Sequence, residues 1–329
     1  MRSALLEKAT DPLRLLFWKT QLNILRACPP LCSIVTTGSL GAANSRAVWL
    51  KTLLRLSAQA PRALAEHLRN EKQGRSVLSR VTLVVTTYCN LRCDKCIQHI
   101  PDFKRHRHFP AQVLAGDLEA LFACVDHLYA IVICGGEVFL YRELDQVLQA
   151  CAASGKIGDI SVATNGTIIP DAKTLAALRE SKARVNISRY DPALQPDVER
   201  LKAVLKENGI PYSHESSTVW HDTGGFERME DGLERRRYSA CATSICNPLL
   251  DGQLHLCGKS ALMAEGMVPD CPDDYIDLRA RPTRAAFREQ WRKLLKRRTL
   301  SACSYCLGDA YFSPKVPVAV QRPPEKTDD

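Results

Sequence analysis

The stretch VTLVVTTYCNLRCDKC, residues 81–96, decides how the rest of the chain is read. Its first seven residues are an uncharged, β-branched run, the composition of a strand buried on both faces. Three cysteines follow at once: Cys89, then Cys93 after three intervening residues, then Cys96 after two more. Three thiolates on one short loop match three corners of a cubane iron–sulfur cluster and leave the fourth iron open to another ligand. The alternative is zinc, with His99 as the fourth ligand.

Working outward, the same alternation continues. Segments 111–125, 141–153, 171–181 and 195–208 show helical periodicity, and the short apolar segments 129–134, 159–163, 183–188 and 210–214 read as strands. Strands alternating with helices of this length predict parallel βαβ units, arranged as an open sheet or an incomplete barrel. Ligands in such folds bind at the carboxyl ends of the strands. There Gly135-Gly136-Glu137 follows the second strand, Thr164-Asn165-Gly166 follows the third, and Ser188 ends the fourth.

With these four markers in order, the chain resembles the radical S-adenosylmethionine (radical SAM) enzymes. The resemblance implies an α/β fold, a partial (β/α)6 TIM-type barrel, over residues 81–222. It implies a [4Fe–4S] cluster on Cys89, Cys93 and Cys96, with S-adenosyl-L-methionine chelating the open iron. It places Lys95, Gly135, Gly136, Glu137, Asn165 and Ser188 around that cofactor. Lys95 departs from the pattern, because the family usually has an apolar or aromatic residue there, and Val138 replaces a frequent proline.

A second group of cysteines lies beyond the alternating region. Cys241, Cys246 and Cys257 bracket a hairpin signal at Asp251-Gly252, and Cys303 and Cys306 form a CxxC pair later on. This is similar to the auxiliary-cluster "twitch" extension of radical SAM enzymes, the short relative of the SPASM type. The resemblance implies a second [4Fe–4S] cluster on Cys257, Cys303 and Cys306, with Cys246 as the fourth ligand and Cys241 competing for that place. A structural zinc ribbon is the rival. Cys271 stands outside the pattern, Cys124, Cys134 and Cys151 read as small core residues, and Cys28 and Cys32 are a weak pair.

The function implied is a radical SAM oxidoreductase. It cleaves S-adenosylmethionine reductively to a 5′-deoxyadenosyl radical, abstracts a substrate hydrogen and passes an electron to the auxiliary cluster. Dehydrogenation of a sugar-like or cyclitol-like small molecule is favoured; a maturase that modifies or crosslinks a peptide is the alternative. A non-catalytic zinc-binding protein is the reading from another class. An external electron donor such as flavodoxin or ferredoxin is implied. Arg189 and His221 are candidate substrate contacts, and the loop 103–109 (FKRHRHF) a candidate anion-binding loop.

Charge and composition bound these readings. The net charge of the 329 residues is +9, yet residues 1–80 hold 13 basic and 4 acidic residues while the remainder is balanced. That argues against a protein that coats nucleic acid. Fourteen cysteines without a secretory signal, Glu7, Lys8, Asp11 and Arg14 interrupting any apolar core, indicate a reducing, cytoplasmic setting. Lys51, Arg55, Arg62 and Arg69 share one helical face in segment 46–70, near Trp49, Leu53 and Leu56. This face suggests docking on an anionic membrane surface or an acidic partner, against a helical collar packed on the barrel. Pro61 is expected to break the helix. The predicted organisation is a helical extension over 1–80, the barrel over 81–222, a small Cys-rich α+β domain over 223–313, and a disordered tail over 314–329.

Overall fold

The computed structural model describes residues 12–34, 46–215, 220–310 and 312–323, with only the backbone described at 12–18, 21, 33–34, 46–57 and 215. The first elements are α1 (Pro12–Ala27), α2 (Pro29–Ile34) and α3 (Arg46–Lys72). Pro61 lies inside α3 and does not end it. Proline removes one backbone donor, and the helical turns on either side of it hold the helix together. Leu22 and Leu25 of α1 pack with Cys32 against Ala242 and Ile245 near the second cysteine group. Arg26 lies 4.5 Å from the Tyr238 ring centre and donates to the Tyr238 carbonyl at 3.0 Å. Glu66 of α3 accepts from the Tyr129 hydroxyl at 2.5 Å. These helices therefore pack as a collar. Of the basic face, Arg62 and Arg69 are exposed, whereas the Lys51 and Arg55 side chains lie outside the described residues. Among the described residues, no helix is long and apolar enough to cross a membrane.

The run that opened the reading becomes β1 (Val77–Thr86), in which Val81, Leu83 and Val85 are fully buried. Four βα units follow: α4 (Ala111–Cys124), β2 (His127–Gly135), α5 (Leu144–Ala153), β3 (Ile157–Thr164), α6 (Ala172–Glu180), β4 (Arg184–Ser188), α7 (Val198–Glu207) and β5 (Tyr212–Glu215). The strands are parallel and lie in the order β5-β4-β3-β2-β1. Over these five strands, sequence order and spatial order agree without a reversal. That is singly wound, barrel-type topology, whereas a doubly wound sheet reverses its order at a switch point.

Three of the remaining strands extend this sheet beyond β1, and two others pair apart from it. The remaining elements are β6 (Trp220–His221), α8 (Glu234–Ser239), β7 (Pro248–Leu250), β8 (Gln253–His255), the single turn α9 (Gly258–Ala261), β9 (Tyr275–Asp277), α10 (Arg284–Lys296) and β10 (Lys315–Val316). The sixth parallel strand, β7, pairs with β1 rather than with β5, matching Thr82 to Pro248 and Leu83 to Leu249. β8 and β9 continue the sheet antiparallel, with the expected hairpin at Asp251-Gly252. The second cysteine segment is thus joined to the barrel through β1.

The tail corrects an expectation. Residues 314–323 are ordered by specific bonds: β10 pairs antiparallel with β6, and Arg322 binds Asp102 at 2.7 Å. Proline and polar composition read as disorder, but the partners that order the segment lie far away in sequence. Residues 324–329 lie outside the described residues.

Candidate functional site

The loop after β1 is held by the end of β2. The Gly136 amide donates to the Thr86 carbonyl at 2.9 Å and the Glu137 amide to the Tyr88 carbonyl at 2.8 Å. A Cβ on Gly135 would be driven into the Thr86 carbonyl oxygen, and one on Gly136 into that of Tyr88. The two glycines thus let the β2 end press against the root of the cysteine loop. Gly136→Ala is expected to lower the melting temperature steeply, by roughly 3 kcal/mol or more of stability, because the obstructing atoms are backbone. Thermal denaturation of the metal-free protein checks this.

Glu137 is 0% exposed and does not face a ligand space. Its carboxylate accepts from the Phe139 amide at 3.0 Å, the Thr164 hydroxyl at 2.7 Å and the Asn165 amide at 2.7 Å. Burial raises its pKa, and these three donors oppose the shift. Glu137 therefore ties the β2 end to the β3 end. Asn165 in turn donates to Asn90 Oδ1 at 3.0 Å, which fixes the cysteine loop from the other side.

The three cysteines open onto one cavity of about 510 Å³. Of the residues singled out from sequence, Cys89, Cys93, Lys95, Cys96, Gly135, Gly136, Asn165, Ser188, His221 and Cys246 line it. Arg189 is exposed and absent from its walls. Burial pushes the Cys89 thiol up to about 12 and also raises Cys93 and Cys96, the latter opposed by backbone N–H groups of Ile100, Gln98 and His99. A metal cluster binds such residues as thiolates, so loading it would release their protons. Three thiols on one wall with open volume beyond them fit a [4Fe–4S] cluster with one free corner.

Lys95 adopts a left-handed conformation with φ 55° and pairs with Asp222 at 3.1 Å. Its head is thereby occupied. His221 pairs through Nδ1 with Asp309 Oδ1 at 2.7 Å, and both residues line the cavity. Sequence reading missed Gln195, which it placed at the start of a helix. Gln195 precedes α7, is 2% exposed, and donates to the Asn165 carbonyl at 2.5 Å and the Ser188 carbonyl at 2.7 Å. It cross-links two of the four strand-end markers.

His99 is not available as a zinc ligand in this arrangement. Its Nδ1 meets Asp102 at 3.2 Å and its Nε2 meets the buried Lys259 ammonium at 3.1 Å. An ammonium only donates, so Nε2 is the acceptor and the Nδ1 proton points to Asp102. Burial, with Lys259 adding to it, lowers the His99 pKa to about 4. The loop 103–109 also has internal duties. Arg107 binds Asp251 at 2.9 Å and Glu265 at 2.5 Å, His106 meets the Thr87 carbonyl at 2.7 Å, and His108 meets the Thr86 hydroxyl at 2.9 Å.

A Cys257 thiolate would face those of Cys303, Cys241 and Cys306, a Cys306 thiolate those of Cys241 and Cys303, and all four thiols are raised by burial. Cys246 has Arg80, Asp309, Cys241 and Cys32 as its charged neighbours and lies on the central cavity. Of the two candidates for the fourth place, Cys241 is the thiol that both Cys257 and Cys306 face. Among the described residues, no three His, Cys, Asp or Glu side chains converge as a single metal ion would require.

Residues 83–190 match the radical SAM superfamily. The GTP 3′,8-cyclase of Clostridium acetobutylicum is 31% identical over 121 residues, which is 36% of this chain and 36% of that relative. The match thus spans little more than a third of the curated relative's length. Among solved structures, BtrN in complex with AdoMet and 2-DOIA is similar at a TM-score of 0.45 and 17% identity, covering 70% of this chain and 94% of that one. SuiB of Streptococcus suis bound to S-adenosylmethionine is similar at a TM-score of 0.37 and 20% identity, covering 50% and 39%.

Proposed function

We propose that this chain, whose residues 83–190 match the radical SAM superfamily, is an oxidoreductase that cleaves S-adenosylmethionine and dehydrogenates a small hydroxylated substrate of the sugar or cyclitol class. The observation that carries this reading is the shared cavity. Cys89, Cys93 and Cys96 form one part of its wall, and Ala242, Thr243, Cys246 and Asp309 of the second cysteine segment form another. Its volume of about 510 Å³ lies in the range of small-molecule sites. Ser188, Tyr190, Trp220 and His221 add polar and aromatic surface between the two parts.

Cys89, Cys93 and Cys96 would hold the first [4Fe–4S] cluster, and Cys257, Cys303, Cys306 and Cys241 the second. The bound cofactors supply the one-electron cleavage of S-adenosylmethionine, the hydrogen abstraction from substrate and the sink for the electron left behind. The chain's residues supply position. Asn165, Ser188 and Gln195 keep the strand ends in register around the cofactor space, and Glu137 holds the β2 end beneath it. The first electron comes from an external low-potential donor.

Anaerobic reconstitution tests the reading. About eight irons per chain are expected from four at each site, together with 5′-deoxyadenosine that forms only with reductant. Zinc in both sites and no cleavage would make the chain a structural metal protein instead. Deuterium moving from a labelled cyclitol into 5′-deoxyadenosine would identify the substrate class, and transfer only from a peptide would favour the maturase.

A further inference from the structure

The segment after β10 returns to the first cysteine loop and lies antiparallel along it. The Asp94 amide donates to the Val320 carbonyl at 2.6 Å and the Arg322 amide to the Arg92 carbonyl at 2.8 Å, with Cys93 and Gln321 as the bridged pair. Ala319 turns the strap into place with φ 54°. Arg322 clamps its end, binding Asp102 at 2.7 Å and Asp94 at 3.5 Å. Beneath the strap, Cys93 is 7% exposed.

The Gln321 amide has its orientation dictated by its partners. The Arg92 backbone N–H can only donate, and it meets Gln321 Oε1 at 2.8 Å. The opposite end is therefore the NH₂ group. It donates to the Ala319 carbonyl at 2.7 Å and to Cys93 Sγ at 3.2 Å. A side-chain N–H from 228 residues away is thus aimed at one sulfur of the candidate cluster.

We propose that Gln321 sets the reduction potential of the cluster carried by Cys89, Cys93 and Cys96. Reduction adds negative charge to the cluster and its sulfurs. A donor held against one sulfur is stronger in the reduced state and raises the potential. The strap makes this donor permanent, because its backbone bonds and the Arg322 clamp leave the Gln321 side chain little freedom to turn away. The inference rests on the proposal that these three cysteines carry the cluster, and adds a residue that no cysteine motif contains.

The test is an EPR-monitored redox titration of the reconstituted protein, following the signal that added S-adenosylmethionine alters. Gln321→Leu keeps the approximate shape and removes the N–H. Gln321→Glu keeps the acceptor for the Arg92 amide, removes the N–H and adds a negative charge. Both variants are expected to retain the iron of the first site and to titrate at a lower potential than the parent, Gln321→Glu lowest. Full iron content with unchanged potentials in both overturns the proposal. Loss of the first cluster in both also overturns it, in favour of a purely holding role. A parent chain with no reducible cluster at this site overturns the underlying reading, and this inference with it.

Discussion

Cys93→Ala is expected to abolish reductive cleavage of S-adenosylmethionine. The substitution leaves two protein ligands where a cubane with one open iron needs three, so the first cluster should not assemble. Iron should fall from about eight to about four per chain, by the four-iron count of each cluster. Formation of 5′-deoxyadenosine should fall to background, a loss of at least ~1000-fold, which corresponds to ~4 kcal/mol or more of barrier. The metal-free fold should barely change. The Cys93 sulfur has one hydrogen-bonding side-chain partner, Gln321, and such a bond is worth about 1 kcal/mol. Iron analysis, product assay and melting temperature together check this, and retained cleavage would sink the assignment.

Cys241→Ala and Cys246→Ala should separate two neighbours that spacing alone leaves interchangeable. Cys241 is buried among Cys257, Cys303 and Cys306, with the Thr243 hydroxyl 3.1 Å from its sulfur. Its loss should remove about four irons, the content of one cluster. The first site should stay loaded and substrate oxidation should stop, while 5′-deoxyadenosine still forms without turnover of substrate. Cys246→Ala should keep about eight irons, because its thiol lies on the cavity wall and is not among those that Cys257 and Cys306 face. The reverse pattern of iron loss would restore Cys246 as the ligand.

Local features made much of this legible in advance. The run at 81–87, the cysteines after it and each βα unit express themselves within about 15 residues, the scale on which periodicity operates. The position of β7 was not legible. It pairs with β1, and the Thr82 hydroxyl bonds the Cys246 carbonyl 164 residues away, a contact with no local signature. Gln195 was hidden for the same reason: its helical neighbours mask a loop position that is set by the Asn165 and Ser188 carbonyls. Glu137 was placed at the right strand end, yet its carboxylate serves the β2–β3 junction and not the open cavity. The tail was misread because polar composition reports what a segment can bury alone, and Arg322 finds its partners at Asp94 and Asp102.

The long reach of Gln321 also bears on how the molecule is made. At ~5–20 residues per second, the 228 residues between Cys93 and Gln321 take roughly 10–45 s to synthesise. For that interval the cysteine loop of a nascent chain has emerged without the segment that covers it. Cluster insertion during translation would meet the loop without its strap, and insertion after release would meet it with Gln321 already against Cys93. The strap therefore gives the loop two states during synthesis, before and after Gln321 reaches Cys93.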